Sequence, residues 1–312
     1  MARDFQQLDW SAAVEDDCRH LVRLAVREDL DRWHDWTTIA LVPADTPGAA
    51  SVVTRQGGVI AGLRACEVVI REMNARLEWT THAADGDQLA SGVAVADVRG
   101  SCRDLLVCER LLLNMLGRLS GVATLTRRYV DAVAGHNSRI YDTRKTTPAW
   151  RRLEKYAVRC GGGHNHRTGL FDAILIKDNH LAACGDPATG EPLSPAEAVR
   201  KARSFLEDHL PEDRRRAMLI EVEVDTLEQL DDALPAGPDI VLLDNMTVEQ
   251  LREAVGRRNA LAAGVELEAS GGVTLWTIAD VAATGVDRIS VGALTHSAVS
   301  LDFGLDWISF RP

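Results

Sequence analysis

Six short runs rich in Ile, Val and Leu recur in the second half of this chain, with helical stretches between them. They are RIYDT (139–143), DAILIK (172–177), MLIEVEV (218–224), DIVLLD (239–244), VELEAS (265–270) and DRISVG (287–292). Strand and helix alternating at this spacing predict parallel strands joined by right-handed crossovers. Because six strands are too few for a closed eight-stranded barrel, we expect an α/β fold with an open, incomplete parallel β/α barrel. A doubly wound open sheet is the alternative.

Most of these runs end in a polar residue or a glycine that packing does not require. The six positions are Thr143, Lys177, Glu223, Asp244, Ser270 and Gly292. The carboxyl ends of parallel strands lie at one edge, where β/α barrels carry their active sites. The chain before about residue 125 lacks this rhythm and predicts an α+β section, with helices at 14–30, 64–77 and 104–119 and a strand at 49–63.

Basic residues are concentrated in one stretch of an otherwise acidic chain. The protein has 35 Lys+Arg against 46 Asp+Glu, a formal net charge of −11. Between Arg144 and Arg167, however, there are seven Lys or Arg residues and one acid, Glu154. An acidic surface would repel a long phosphate backbone, so this stretch predicts a pocket for a small polyanion and argues against nucleic-acid binding.

The segment DTRKTTP (142–148) carries two candidate anion-binding side chains. Arg144 can bind a carboxylate or phosphate through two parallel hydrogen bonds, whereas Lys145 supplies a mobile point charge. A helical stretch follows, so the backbone N–H groups of a helix start would lie nearby. A solvated basic turn would give the same sequence and is the alternative.

The segment GGGHNHR (161–167) combines three glycines with His166 and Arg167. Glycines let the backbone approach a ligand closely, and the two side chains offer hydrogen-bond donors. Lys177 ends the next strand, where a lone barrel lysine would also suit a Schiff-base aldolase. Nothing at ligand spacing completes a metal site with His164 and His166, so that interpretation is the weaker one.

Carboxylates are predicted at two neighbouring strand ends. Strand period two places Glu221 and Glu223 on one face, and the run LLDN contributes Asp244. A half-buried carboxylate is costly unless it is paired or binds something. These groups could bind sugar hydroxyls, hold Mg²⁺, or stabilise positive charge on an oxocarbenium-like carbon. Salt bridges to Lys145 and Lys177 are the simpler alternative, and they do not exclude the functional role.

Glycine-rich turns follow the last two predicted strands, in ASGG (269–272) and SVGALTHS (290–297). Such turns commonly hold a phosphate through backbone amides. Earlier in the chain, Arg110 and Arg118 lie on one side of a Leu-rich helix, for which ordinary surface polarity is the simpler explanation. The six cysteines show no disulfide or zinc spacing, and no run is long and apolar enough to span a membrane. We therefore expect a soluble, cytoplasmic protein.

Taken in order along the chain, these segments resemble the quinolinate phosphoribosyltransferase family. The segments that carry the resemblance are GGVIAG (57–62), ERLLLNMLGRLSGVAT (109–124), DTRKTTP (142–148), GGGHNHRTGLFDAILIKDNH (161–180), EVEVDTLEQL (221–230), LLDNM (242–246), EASGGV (268–273) and GVDRISVGALTHS (285–297). One departure is His34, at a position where the family pattern leads us to expect glycine.

The resemblance implies a two-domain subunit. An N-terminal α/β sandwich would span 1–125 and be completed by the tail 298–312, and the open barrel would span 126–297. It further implies a homodimer with shared active sites. The expected reaction joins quinolinate to phosphoribosyl pyrophosphate with Mg²⁺, giving nicotinate mononucleotide, pyrophosphate and CO₂ for NAD biosynthesis.

The resemblance also implies roles for individual residues, position by position. Quinolinate would be bound by Arg110 from the partner subunit and by Thr143, Arg144, Lys145, His166, Arg167 and Lys177. The ribose and its phosphates would be bound by Glu223, Asp244, Ser270, Gly271, Gly272, Gly292 and His296. Lys145, Glu223 and Asp244 would be catalytic, and the last two would hold Mg²⁺ largely through substrate and water.

Two other functions fit parts of this pattern. A class I aldolase would use Lys145 or Lys177 as its Schiff-base lysine, and a catalytically silent nucleotide sensor would keep only the pocket. The strand-end carboxylates and cations occur together, which favours the transferase over the sensor. Two carboxylates, a phosphate and a pyrophosphate require a cationic site, and a reacting sugar carbon that becomes positive requires carboxylates near it.

Overall fold

The computed structural model describes residues 3–185 and 190–308. Its helices are α1 (Ala12–Leu30), α2 (Trp36–Leu41), α3 (Leu63–Glu72), α4 (Cys102–Ala132), α5 (Arg151–Cys160), α6 (Asp178–Ala183), α7 (Pro195–His209), α8 (Glu212–Ala217), α9 (Leu227–Ala233), α10 (Val248–Leu261), α11 (Ile278–Ala282) and α12 (Ala293–His296). Within these ranges, no helix combines the length and the apolar character that crossing a membrane requires.

Among the described residues, the strands form one antiparallel sheet, one parallel sheet and one small two-stranded ribbon. They are β1 (Pro47–Thr54), β2 (Gly58–Val59), β3 (Leu77–Thr81), β4 (Gln88–Leu89), β5 (Ala94–Ser101), β6 (Arg139–Tyr141), β7 (Ala173–Ile176), β8 (Leu219–Val224), β9 (Ile240–Asp244), β10 (Glu266–Ser270), β11 (Arg288–Ser290) and β12 (Phe303–Trp307). The chain divides into two compact units, which we call the sandwich unit and the barrel unit.

The sandwich unit comprises residues 8–128, 145–163 and 293–312. Its sheet is antiparallel, with the strand order β12-β1-β5-β3. Strand β12 lies in the tail 298–312 that we predicted to complete this domain, whereas residues 309–312 of that tail lie outside the described residues. The predicted domain boundaries at 125 and 297 remain predictions.

Helix α4 packs into the sandwich unit through one apolar face. Leu105, Leu112, Leu116 and Leu119 are fully buried, at spacings of seven, four and three that keep them on one side of a helix. Leu105 contacts Ala50 of β1 in the sheet core. The predicted helix 104–119 is therefore present and continues to Ala132. The predicted strand 49–63 is instead broken after Thr54, where β1 ends, and only Gly58–Val59 (β2) of the remainder is strand.

The barrel unit comprises residues 1–7, 129–144 and 164–292. The six strands in the described part of this unit are all parallel, in the order β6-β11-β10-β9-β8-β7. Strands β7 to β11 follow one another in chain order, and β6 then pairs with the last of them. A doubly wound sheet would instead reverse its strand order part-way. The progression in one direction, with β6 and β7 at the two edges, confirms the prediction of an open β/α barrel.

The N-terminal segment packs near the start of the barrel strands. The Arg288 guanidinium is fully buried, donates to Asp4 Oδ1 at 3.0 Å and forms an ion pair with Glu266. It also lies 4.7 Å from the ring centre of Tyr141, where a cation–π interaction is favourable. Phe5 belongs to the same core cluster as Tyr141. These contacts occupy the amino-terminal edge of the sheet. We therefore look for the polar site at the opposite, carboxyl-terminal edge.

Candidate active site

The six predicted strand-end residues all belong to the barrel unit. Each lies at the last residue of its strand or within two residues of it: Thr143, Lys177, Glu223, Asp244, Ser270 and Gly292. Asp244 and Ser270 are directly opposite in the pairing of β9 with β10. Because every strand runs in the same direction, these residues lie along one edge of the sheet. The structure therefore groups them as the sequence predicted.

A cation and two carboxylates interact at this edge. Lys177 forms an ion pair with Glu223, whose side chain is buried whereas that of Lys177 is partly exposed. Burial raises the pKa of the Glu223 carboxyl, the hydrogen bond from Lys177 opposes that change, and the neighbouring Asp244 charge adds to it. The net shift is upward. Negative charge is thus concentrated at adjoining strand ends and is compensated by a lysine that a ligand could displace.

The turn after β10 needs glycine for a specific reason. Gly271 has a φ of +92°, and a Cβ built there would lie 2.2 Å from Asn245 Oδ1. Asn245 is itself left-handed, with a φ of +54°. Its Nδ2 donates to Asp244 Oδ2 at 2.6 Å, and its backbone N donates to the carbonyl of Ser270 at 2.9 Å. Asn245 therefore contacts both the glycine turn at Gly271 and the carboxylate of Asp244, so a shift of the turn would also move the carboxylate.

A second cluster is built around the buried carboxylate of Asp142, just after β6. Asp142 Oδ2 accepts from Asn165 Nδ2 at 2.7 Å, and Oδ1 accepts from the backbone N of His166 at 2.9 Å. These bonds fix the loop that presents Arg167. Burial lowers the pKa of Arg167, and the nearby positive charge of Arg144 lowers it further. The positive charges of these two guanidinium groups repel each other, so the arrangement suits an anion that binds both.

His166 faces two buried carboxylates from inside the loop. The backbone N–H of Arg167 donates to His166 Nδ1 at 2.8 Å, so the ring proton is on Nε2. Nε2 lies 3.1 Å from Glu221 Oε2 and 3.5 Å from Glu268 Oε1. Although these three side chains are close enough to surround a cation, metal binding at Nε2 would leave both nitrogens as acceptors, which a neutral imidazole cannot provide.

The pKa of the Glu268 carboxyl is strongly shifted. Burial raises this pKa to about 7, and the negative charge of Glu221 adds to that change. Glu268 therefore carries a proton below about pH 7, which reduces the repulsion between the two carboxylates. His166 also packs on the ring of Phe5, with 4.2 Å between ring centres.

The remaining predicted residues belong to the sandwich unit. Arg110 is exposed on α4 and lines a cavity of about 570 Å³ together with Arg118, Thr147 and Trp150. Lys145 is also exposed, and its backbone carbonyl accepts a hydrogen bond from another residue of the same unit. The third residue, His296, is exposed at the end of α12, where Nδ1 lies 2.7 Å from Ser297 Oγ.

Sequence reasoning missed the roles of two residues in the barrel unit. Glu268 lies within the segment EASGGV, and strand period two places Glu266, Glu268 and Ser270 on one face of β10. That periodicity was the signal that could have identified it. Asp142 was likewise treated only as the start of a basic segment. Its contacts with a loop more than twenty residues away are tertiary and have no local sequence signal.

Comparison with known proteins identifies the family. The chain matches the model for the quinolinate phosphoribosyl transferase N-terminal domain over residues 35–120 and the model for the C-terminal domain over residues 122–306. The chain belongs to the quinolinate phosphoribosyltransferase family. This confirms the resemblance drawn from the ordered segments of the sequence.

Individual relatives support the assignment to this family over nearly the whole chain. The Mycobacterium leprae protein named nicotinate-nucleotide pyrophosphorylase (carboxylating) is 46% identical over 293 residues, covering 93% of this chain and 97% of that protein. A Bacillus subtilis protein with the same name, qualified as probable, is 42% identical, covering 82% of each chain. The solved nicotinate-nucleotide pyrophosphorylase structure from Francisella tularensis superposes with a TM-score of 0.85 at 34% identity, covering 97% of this chain and all of that one. The family and the enzyme class predicted from the sequence are therefore confirmed.

Proposed function

We propose that this protein transfers the phosphoribosyl group of phosphoribosyl pyrophosphate to quinolinate. Loss of one carboxylate as CO₂ then gives nicotinate mononucleotide, and pyrophosphate is the other product. The observation that carries this proposal is the edge of the barrel unit, where Arg144 and Arg167 interact with each other and Lys177 is paired with Glu223, whose other neighbour is Asp244. Family membership supports the same reaction.

Quinolinate has two adjacent carboxylates, and the proposal assigns them chiefly to Arg144 and Arg167. The repulsion between these guanidinium groups is relieved when an anion binds both, which makes binding depend on the dianion. Lys177 and Thr143, which follow the two edge strands β7 and β6, are proposed to complete the binding set. His166 would have to exchange its Nε2 contact with Glu221 for one with the substrate, so we assign it a smaller part of quinolinate binding than Arg144 and Arg167.

Glu223 and Asp244 are proposed to act on the ribose. The pyridine nitrogen attacks the anomeric carbon while the bond to pyrophosphate breaks, and positive charge develops on the sugar. Carboxylates placed near that carbon stabilise the charge. Their oxygens, at neighbouring strand ends, also fit the oxygen ligands that Mg²⁺ prefers. We propose that they hold Mg²⁺ through water and substrate, where the ion would neutralise phosphate charge.

The phosphate groups are assigned to the glycine turns after β10 and β11 and to the side chains of His296 and Lys145. Ser270, Gly271, Gly272 and Gly292 offer backbone N–H groups and little bulk, which suits the 5′-phosphate, and His296 is proposed to assist them. Gly272 has open space where a Cβ would lie, so a ligand can approach its backbone. Lys145 is proposed to bind the leaving pyrophosphate as well as quinolinate.

Decarboxylation then follows from the charge on the ring. After ribosylation the ring nitrogen is formally positive, and it stabilises the electron pair left on C2 when the C–C bond to the adjacent carboxylate breaks. The carbon takes up a proton, and CO₂ departs. The protein's residues need only orient and partly desolvate the departing group, so no covalent intermediate is required.

The direct test is a turnover experiment with quinolinate labelled in the 2-carboxylate, phosphoribosyl pyrophosphate and Mg²⁺. We expect equal amounts of labelled CO₂, pyrophosphate and nicotinate mononucleotide, and no CO₂ when the ribosyl donor is omitted. Absence of turnover would support the nucleotide sensor instead. Trapping of a carbonyl substrate by borohydride would support the aldolase.

We also propose that the enzyme is a homodimer in which Arg110 serves the active site of the partner. Arg110 is exposed on α4 and lines an open cavity, so it is available to a second chain. An Arg110→Ala chain and an Arg167→Ala chain, each inactive alone, should together form heterodimers with one intact site. Activity should return to about half the wild-type value per heterodimer. If mass spectrometry shows exchange and activity stays absent, Arg110 does not act across the interface.

A further inference from the structure

The sandwich unit holds a buried ion pair that connects two segments of the predicted site. Arg118 on α4 pairs with the fully buried carboxylate of Glu154 on α5, and its Nε lies 3.1 Å from Glu154 Oε1. Sequence reasoning had assigned Arg118 to ordinary surface polarity. A buried carboxylate is costly without partners, so such a pair persists where its geometry is well satisfied.

Glu154 holds the segment that follows Lys145. Its Oε2 accepts from the backbone N of Thr147 at 3.0 Å, and its Oε1 accepts from the Thr147 hydroxyl at 2.8 Å. The carboxylate therefore accepts from both the backbone N–H and the hydroxyl of Thr147, two positions after Lys145. This contact fixes the backbone of the segment independently of any ligand.

Arg118 holds the segment that carries His296. Its guanidinium donates to the backbone carbonyl of Thr295 and, through Nη1 at 2.9 Å, to that of Ala298. The last carbonyls of a helix such as α12 have no partner within the helix, and an arginine can satisfy them. The same side chain that neutralises Glu154 therefore also fixes the end of α12.

A third contact joins the two segments directly. The fully buried hydroxyl of Thr295 donates to the backbone carbonyl of Lys145 at 2.8 Å. Since Thr295 immediately precedes His296, the backbones of the two proposed phosphate-binding residues are held together by one hydrogen bond. Arg118 and Glu154 support it from either side.

We propose that Arg118, Glu154 and Thr295 are positioning residues that set the separation of Lys145 and His296 for phosphoribosyl pyrophosphate. This inference rests on the proposed function, in which Lys145 binds the pyrophosphate and His296 assists at the 5′-phosphate. The donor carries its phosphates at opposite ends of the ribose, so its binding depends on that separation. Quinolinate depends mainly on Arg144 and Arg167, which the network does not touch in the described contacts.

The test compares Thr295→Val with Thr126→Val, a closely matched control. Thr126 is also fully buried in the sandwich unit, and its hydroxyl donates to the backbone carbonyl of Val122 at 2.8 Å. Both changes replace a hydroxyl by a methyl group in the same type of hydrogen bond. Thr126 lies in the helix α4 and is bonded to neither segment of the network.

We expect Thr295→Val to raise the KM for phosphoribosyl pyrophosphate roughly tenfold. This lies between the effect of one hydrogen bond, about fivefold, and that of a 1 Å misplacement, about a hundredfold. The calorimetric Kd of quinolinate should rise by a clearly smaller factor, because Lys145 is only one of its proposed ligands and Arg144 and Arg167 are not positioned by the network. Thr126→Val should leave both values near wild type. Glu154→Gln keeps the shape of the side chain but removes its charge. It should likewise raise the KM for the ribosyl donor more than it raises the Kd of quinolinate.

Three results would overturn the proposal. Equal KM changes in Thr295→Val and Thr126→Val would mean that the hydroxyl has only a structural role, and equal losses of quinolinate and donor affinity would mean that the effect is general. Unchanged KM in both Thr295→Val and Glu154→Gln would mean that the network does not position the phosphate ligands. If wild type binds the donor without turnover, the proposed reaction fails, and the calorimetric Kd of the donor in the same variants still decides the positioning role.

Discussion

Replacing Gly271 by alanine tests the connection between the glycine turn and Asp244. Gly271 and Gly272 are adjacent and both left-handed, with φ values of +92° and +59°. Alanine therefore costs about 1 kcal/mol of backbone strain at either position. Only at Gly271 would the new Cβ also meet a neighbour, at 2.2 Å from Asn245 Oδ1 and 2.9 Å from the Asn245 backbone N.

That clash cannot be relieved cheaply, because Asn245 is hydrogen-bonded to Ser270 and to Asp244. Overpacking of this kind typically costs about 1–3 kcal/mol beyond the backbone strain. We expect the free energy of unfolding, measured by urea titration, to fall about 2 kcal/mol more in Gly271→Ala than in Gly272→Ala. Displacement of Asp244 should also lower kcat about a hundredfold. Equal unfolding free energies for the two variants would refute the reasoning.

Four further substitutions test the electrostatics of the barrel unit. Burial raises the pKa of Glu268 from 4.5 to about 7, so the folded state loses stability as pH rises across that range. In Glu268→Gln, the free energy of unfolding measured by urea titration should therefore differ less between about pH 4.5 and pH 7.5 than it does in the wild type. Arg288→Met removes the buried cation from Asp4 and Glu266, which keep Arg139 as a partner. It should therefore cost less in the same assay than the roughly 3–5 kcal/mol of a buried charge left without any partner. Asp244→Ala should reduce kcat more than it raises the quinolinate KM, whereas Arg167→Ala should mainly raise that KM. An unchanged kcat in Asp244→Ala at saturating Mg²⁺ would contradict its proposed role.

The barrel strands could be predicted from the sequence because their pattern is local. Strands buried on both sides read as apolar runs, and each predicted end lies within two residues of the observed one. The antiparallel sheet was harder, since β1 pairs with β12 across some 250 residues and no local pattern encodes that pairing. The prediction of one strand over 49–63 missed the break between β1 and β2, because that break also has no local pattern.

The strand-end residues of the site could be predicted, but their interactions could not. Lys177, Glu223 and Asp244 were recognisable because chemistry gathers at the ends of parallel strands. The inward contact of His166 with Glu221 and Glu268 depends on a loop that folds back on two strands, which spacing does not reveal. Arg118 looked like surface polarity because its partner, Glu154, was counted as an isolated acid within a basic stretch.

The central claim is that the cationic edge of the barrel unit recognises both carboxylates of its substrate. The measurement that tests it most directly is kcat/KM for quinolinate against nicotinate, which lacks one carboxylate, at saturating phosphoribosyl pyrophosphate. Nicotinate would leave Arg144 and Arg167 close together without a shared anion, and a site that loses its polar partner can discriminate by about 10⁴-fold or more. We predict a preference for quinolinate of that order. Comparable kcat/KM values for the two acids would contradict the account.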